Sequence, residues 1–414
     1  MALRNSDGGG RAGRPEGPTT ADDQTRAGQR SDAGRLGPGL PRWHHVPLAL
    51  WALVWFVLIE RHGGQSWHYL RLGARLLFGT DLSNGARSGG GLHLYANHPE
   101  LQSGPLSFVF AGLFAYLPIR TGAFLVEACM SGIGLYILIL TGRSAARLAL
   151  GRGIDHRRLQ ARVLLAGLAF IPMWTVVSVR FAHLDDVLAL LFTALAVHAL
   201  TRTQSATVGV CLALAIGSKP WAVTFIPLIL ALPRSQWLRA GGWMIALLLA
   251  TWLPFVLGDT RTLHAAQFKI DNQPASALRR LGVTDPTTPA WDRPAQAALG
   301  LSLGLLAIRR GRWPAVVLLG ADARILLDPS VYTYYTASVL LGTLLWDIIA
   351  SHRLIPLWSW LAFVSLYGSV FIIHAPDLRG LIRLAFVTVS SLYVLFRPIR
   401  TPTDQLDQRS DMPR

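Results

Sequence analysis

The chain has 414 residues, 51% of them apolar and only 15% charged, and its 39 Lys and Arg outnumber 23 Asp and Glu to give a formal charge of +16. Mean hydropathy is +0.37, and apolar runs recur almost to the last residues, which excludes a soluble multidomain enzyme and points to an integral membrane protein. Arg supplies nearly all the positive charge and sits largely between apolar runs, so membrane topology explains the charge better than nucleic acid does.

Residues 1–42 are rich in Gly, Arg, Asp and Pro and hold few large apolar side chains, so a disordered cytoplasmic tail is expected there. A transmembrane domain over 43–400 and a cytoplasmic tail over 401–414 complete the expected organisation. The first apolar run follows a long polar stretch and precedes no A-x-A site, so it reads as an anchor and not as a cleaved signal. Cys129 and Cys211 both lie in apolar segments and offer neither a disulfide framework nor a metal-ligand spacing.

Apolar runs in chain order predict an all-helical bundle, and Arg bias predicts its orientation. Val46 to Glu60 is the first span. Trp67 to Phe78 is amphipathic and suits a membrane surface. Thr80 to Pro105 is a polar loop, and Gly104 to Pro118, fenced by prolines, suits a surface or re-entrant helix. Thr121 to Leu140 leads into the basic loop of Arg143, Arg147, Arg152, Arg157, Arg158 and Arg162, expected inside. Val163 to Val179 and Val187 to Leu200 follow, then a short pair, Thr207 to Gly217 and Trp221 to Leu232, broken at Ser218, Lys219 and Pro220. Gly241 to Leu257 and Ala295 to Ile308 flank a long external loop, Gly258 to Arg293. Arg309, Arg310 and Arg312 mark the inside again. Trp313 to Leu327, Val331 to Ile349, Leu354 to His374 and Leu381 to Phe396 bring the expected total to twelve spans, with both termini inside.

Under that orientation several ionisable groups meet at the outer boundary. Asp81, His93, Tyr95 and His98 fall in the first external loop, where Asp81 suits a general base and equally a turn, since T-D-L-S-N-G is turn chemistry. His183, Asp185 and Asp186 open the fourth span, where acids bordering hydrocarbon either serve a site or cap the helix. Lys219, one of two lysines, suits an anionic ligand or simply reaches the interface. Arg324, Asp328, Tyr332, Tyr334 and Tyr335 surround a span boundary, fitting either an aromatic belt or a sugar and a phosphate. The coincidence of these acids and the Lys on one side implies a single external polar cavity. No Walker-type loop or H-E-x-x-H occurs, and the G-x-G-x-x-G of Gly8 to Gly13 lies in the polar tail with no apolar strand before it, which removes support for ATPase, zinc-protease and dehydrogenase readings.

The ordered set of an acidic first external loop, GPLSFVFAGLFAYLP, a basic loop, HLDD, GSKPW and LLDPSVYTYY resembles the GT-C membrane glycosyltransferases. It is most similar to the bacterial polyprenyl-phosphate-mannose-dependent branch, over roughly residues 44 to 396. The resemblance implies a transmembrane helix bundle with surface helices in the first external loop, Asp81 as catalytic base, Asp185 or Asp186 as the second acidic site, and Lys219, Arg324, Asp328, Tyr334 and Tyr335 on the donor side. It further implies an inverting transfer from a polyprenyl-phosphate sugar, with mannose inferred from the branch alone, to a lipid-linked or glycan acceptor in the cell membrane. No metal or cofactor and no nucleic-acid partner are expected. His93, Tyr95, His98 and His183 are candidates for proton transfer or acceptor contact. One departure from the pattern is YANHPELQSGPL, where the usual paired prolines are split between Pro99 and Pro105. A transporter or lipid flippase, and a non-catalytic membrane protein of similar architecture, are the competing readings.

Overall fold

The computed structural model describes residues 44–79, 89–149, 155–351 and 353–397. Expectations for Asp81 and for the two tails lie outside these residues. Among them the chain is all-helical, and its one extended pairing is an isolated bridge between Asp271 and Thr287.

Among the described residues thirteen helices form the frame. They are α1 (His45–Glu60), α2 (Trp67–Leu77), α3 (Pro105–Gly112), α4 (Ile119–Ala149), α5 (His156–Thr175), α6 (Leu184–Leu200), α7 (Ser205–Ser218), α8 (Trp237–Gly258), α9 (Asp292–Arg309), α10 (Val316–Leu327), α11 (Thr336–Leu345), α12 (Leu357–Ala362) and α13 (Pro376–Phe396). Shorter helical turns join them, and a tightly wound helix, Pro220–Ala231, follows α7.

Five stretches are long and apolar enough to cross a membrane: Ile119–Ala149, His156–Arg180, Arg234–Gly258, Thr333–Ala350 and Pro376–Phe396. Apolar helices at His45–Glu60, Ser205–Ser218, Pro220–Ala231 and Leu357–Ile372 are shorter. Among the described residues five helices thus have full spanning length, against the twelve spans expected. Proline explains part of the shortening, because Pro220 and Pro227 interrupt what would otherwise be one hairpin of regular helices.

α6, α7 and α8 pack in sequence, α9 and α10 pack together against Pro220–Ala231, and α10 contacts α11 and α13. The helices His156–Arg180 and Thr333–Ala350 are mostly enclosed, whereas α8 turns an apolar face outward through Leu249, Leu253 and Leu257. Small residues set the closest approaches, as is usual where helices pack without a hydrophobic driving force between them. At Gly209 in α7 a Cβ would lie 2.0 Å from the Ala240 carbonyl of α8.

The amphipathic stretch folds as α2 and buries Trp67, Leu70 and Ala74. Arg71, one turn after Trp67, donates to the Ala115 and Leu117 carbonyls at 2.8 and 3.1 Å. The proline-fenced segment forms only α3, which Pro105 starts at a first-turn position where a missing N–H costs nothing. Gly104 lets the chain enter α3 against α7, since its N–H donates to the Ser218 carbonyl at 2.8 Å and a Cβ there would lie 2.1 Å from the Gly217 carbonyl oxygen.

Arginines expected to mark a solvated basic surface do other work as well. Arg162 is buried and donates to the Asp347 and Ile348 carbonyls at the end of the helix that continues α11. Arg312 donates to the carbonyls of Val394 and Arg397, and Arg310 to that of Leu395 at 2.9 Å, at the end of α13. Guanidinium groups at helix C-termini satisfy orphan carbonyls and the negative end of the dipole.

Overpacking at the α7–α8 contact is therefore expected to be costly. Gly209→Ala should lose about 1–3 kcal/mol of stability, while Gly241→Ala, where a Cβ meets nothing within 4 Å, should be neutral or mildly stabilising. Thermal unfolding of the detergent-solubilised protein measures both, and equal effects would remove the close-approach argument.

Candidate functional site

Four separate stretches converge at one end of the bundle. The start of α6 brings His183, Asp185 and Asp186, the α7 to Pro220–Ala231 junction brings Lys219 and Trp221, the end of α10 brings Arg324 and Asp328, and the following turn brings Tyr334 and Tyr335. The chain reaches α6 through Ala182, held at φ 50°, a left-handed conformation that a residue with a Cβ seldom adopts. Such strain, of order 1–3 kcal/mol, persists only where surrounding contacts enforce it.

The contacts form one buried charge network. Lys219 Nζ pairs with Asp185 Oδ2 and stands 3.8 Å from Asp186 Oδ2. Ser103 Oγ donates to the same Asp185 oxygen at 2.7 Å, and Tyr95 in turn donates to the Ser103 carbonyl at 2.7 Å. Asp186 Oδ1 accepts from Trp221 Nε1 at 3.0 Å and from the Arg324 guanidinium at 3.4 Å. Arg324 Nε lies 3.7 Å from Asp328 Oδ2, and its guanidinium is sandwiched between Trp221 and Tyr335, with ring centroids at 4.4 and 4.2 Å. His183 places Nδ1 3.2 Å from Asp185 Oδ1 and Nε2 3.1 Å from Ser66 Oγ, and its ring stacks on Tyr334 at 3.8 Å.

Burial works against the Lys219 ammonium, yet Asp185 and Asp186 outweigh it and hold its pKa above the ordinary value. Tyr95 is pushed well up by burial and by the Asp185 charge, so it is a phenol and not a phenolate.

Beside this network lies a cavity of about 540 Å³, within the range of small-molecule sites. Lys219, Trp221, Arg324, Asp328 and Tyr335 line it, as does Tyr95. Asp185, Asp186, His183 and Tyr334 do not; they hold the side chains that do. The carboxylates read as a second acidic site thus act here as anchors for Lys219 and Arg324.

Further lining comes from residues of the two long loops expected outside that the sequence reading did not single out. Asp292 and Arg293, at the first turn of α9, line the cavity with Gln102. Burial raises Asp292 to about 7 and Asp328 to about 6, with the Asp328 charge adding to the shift at Asp292. Arg293 is lowered by burial. An acid directly preceding R-P at a loop-to-helix boundary was the available signal, hidden because the external loop was bounded at Arg293. The lining therefore carries three cations, Lys219, Arg293 and Arg324, against two carboxyls that burial drives toward their neutral form.

His93 and His98 are not part of this arrangement: His93 Nδ1 faces Asp259 at 3.4 Å and His98 Nδ1 faces Glu100 at 3.2 Å. Nor are buried acids confined to one end. Glu127 sits within α4, Asp322 within α10 accepting from Ser390 and Ser391 at 2.8 and 3.0 Å, and Asp347 beyond α11 accepting from the Ser359 N–H at 2.8 Å. The expectation that all such acids gather on one side fails, because serine hydroxyls and backbone N–H groups can satisfy a carboxyl anywhere in a helix bundle.

A cation could also bridge His183, Asp185 and Asp186, whose ligand atoms lie within 4.8 Å of one another. Lys219 already supplies positive charge to both carboxylates.

Because the folded protein holds protons on Asp292 and Asp328 that the unfolded chain has released above its carboxylate pKa of about 4, stability should decline as pH rises from there to about 7. The melting temperature should fall between about pH 5 and about pH 8, and Asp292→Asn should flatten that slope. An unchanged slope in the variant would contradict the assignment.

Comparison with protein-family models, with curated proteins and with solved structures finds no match to this chain.

Proposed function

We propose that the protein is an integral membrane glycosyltransferase that moves a sugar, mannose on the resemblance described above, from a polyprenyl-phosphate donor to a lipid-linked or glycan acceptor. The observation that carries this reading is the cavity itself, whose lining joins three cations to two carboxyls that burial raises above the ordinary carboxylate range and is otherwise mostly apolar and aromatic. That combination suits a phosphate carrying an apolar chain on one side and a sugar on the other.

In the proposed reaction an acceptor hydroxyl attacks the anomeric carbon, the bond from that carbon to the phosphate oxygen breaks, and polyprenyl phosphate leaves. The proton passes to Asp81, retained here as the proposed base on the resemblance alone. Lys219 and Arg324, fixed by Asp185 and Asp186, stabilise the negative charge that grows on the leaving phosphate. On this proposal the twelve-span arrangement places the cavity at the external face and both termini in the cytoplasm.

A second reading, a transporter or flippase, is favoured by one observation, the carboxyls of Glu127 and Asp322 buried within helices away from the cavity.

Membranes containing the full-length protein should convert polyprenyl-phosphate mannose to polyprenyl phosphate. Asp81→Asn should slow this by roughly 100-fold or more, and Lys219→Met by a similar factor, with protein abundance unchanged in the membrane. Lack of conversion by the wild type, or wild-type rates in Asp81→Asn, would overturn the reaction or the base, respectively. Movement of the intact donor lipid between leaflets without cleavage would favour the flippase.

A further inference from the structure

Two buried polar atoms on residues that line the cavity lack any hydrogen-bond partner among the described residues. One is Asp292 Oδ1, on a side chain with no solvent exposure, and the other is Gln102 Nε2. Buried polar groups are nearly always satisfied, and an orphan forfeits the solvation it had in water.

The orientation of each is fixed by its other half. Asp292 Oδ2 accepts from Gln296 Nε2 at 2.8 Å, one turn on in α9. Gln102 Oε1 accepts from Arg293 Nη2 at 3.1 Å, and the same Arg293 nitrogen donates to the Phe268 carbonyl at 2.7 Å. A guanidinium only donates, so the amide oxygen of Gln102 must face Arg293 and the amide N–H groups must face elsewhere. Gln102, Asp292, Arg293 and Gln296 all line the one cavity. The wall thus offers a free acceptor and a free donor, each held rigidly from behind.

A hydroxyl group both donates and accepts, so a polyhydroxylated ligand can supply a donor to Asp292 Oδ1 and an acceptor to Gln102 Nε2 without adding charge. A phosphate matches poorly, because it brings negative charge toward Asp292 and has no proton to give it. These residues share no hydrogen bond described above with the Lys219, Asp185, Asp186 and Arg324 network, although Arg293 and Asp292 feel the Asp328 charge.

We infer that Gln102 and Asp292 form a hydroxyl-recognition subsite for a sugar ring in the same cavity as Lys219 and Arg324, and that it sets which polyhydroxylated ligand the cavity accepts. This deepens the glycosyl-transfer reading by naming the residues that hold the sugar, and Arg293 and Gln296 act in it as positioning residues. Sites built to hydrogen-bond a hydroxyl discriminate strongly, because a ligand lacking it leaves their buried groups unpaired.

The test uses the full-length protein in lipid nanodiscs and two probes. Methyl hexopyranosides, including mannoside and glucoside, are followed by saturation-transfer NMR, and sugar-free polyprenyl phosphate is followed by quenching of tryptophan fluorescence from Trp221 and Trp252. Wild-type protein should bind at least one hexoside. Asp292→Ala and Gln102→Ala should each weaken it roughly tenfold while polyprenyl phosphate still quenches, which also shows that the variants are folded. Lys219→Met should weaken polyprenyl phosphate and spare the hexoside. Hexoside binding that is absent in the wild type, or unaffected by both alanine variants, overturns the subsite. Hexoside binding that depends on Asp292 and Gln102 without any binding of polyprenyl phosphate upholds the subsite and removes the proposed donor.

Discussion

The buried pair of Lys219 and Asp185 is the contact on which the rest of the site depends. Lys219 is the residue where α7 ends, Asp185 lies in the first turn of α6, and Ser103, bonded to the same carboxylate, ends the loop that enters α3. One ion pair therefore fixes three chain segments relative to each other. Removing one partner of a buried pair strands the other in a medium that solvates it poorly, a loss of about 3–5 kcal/mol in comparable cases. The pair does not stand alone, since His183 and Asp186 extend it, and Trp221 and Arg324 carry it to α10. The network is a set of linked supports and not of independent bridges, so loss of one member is felt first by the partners it holds.

Much of this was legible in the sequence. HLDD, GSKPW and LLDPSVYTYY stood out because acids, a rare lysine and clustered tyrosines beside apolar runs demand a reason, and the structure brings all three together. The amphipathic stretch at Trp67 was equally clear from its period. What the sequence could not convey was direction. Asp185 and Asp186 read equally as site acids or helix caps, and the structure shows their oxygens engaged by Lys219, Arg324 and Trp221 and their side chains outside the cavity lining. Asp292 and Gln102 looked like loop residues, since nothing in one dimension shows that a loop folds back over a cavity. Asp81 lies outside the described residues, so its role stays where the resemblance put it.

Arginine illustrates the same limit. A count of Arg between apolar runs gives orientation, and that inference uses charge alone. Arg162 and Arg312 additionally use geometry, spreading several N–H donors over carbonyls that a helix leaves unpaired at its end. Both roles select the same residue at the same end of a helix, because a helix C-terminus and a cytoplasmic boundary each favour positive charge. Sequence periodicity thus sees one effect where two operate. Span counting met a comparable difficulty: twelve apolar runs were visible, but proline and short helical turns divide several of them into pieces below full spanning length.

The outward face of α8 has a consequence for how the cavity is filled. Trp252 and Val256 line the cavity, while Leu249, Leu253 and Leu257 of the same helix are exposed. A single helix therefore separates the cavity from whatever solvent surrounds the bundle. For a ligand with a long apolar chain dissolved in a bilayer, the relevant quantity is then its mole fraction among neighbouring lipids and not its bulk molarity. Occupancy would scale with composition in two dimensions, and dilution of the membrane with detergent would empty the cavity as surely as removal of the ligand.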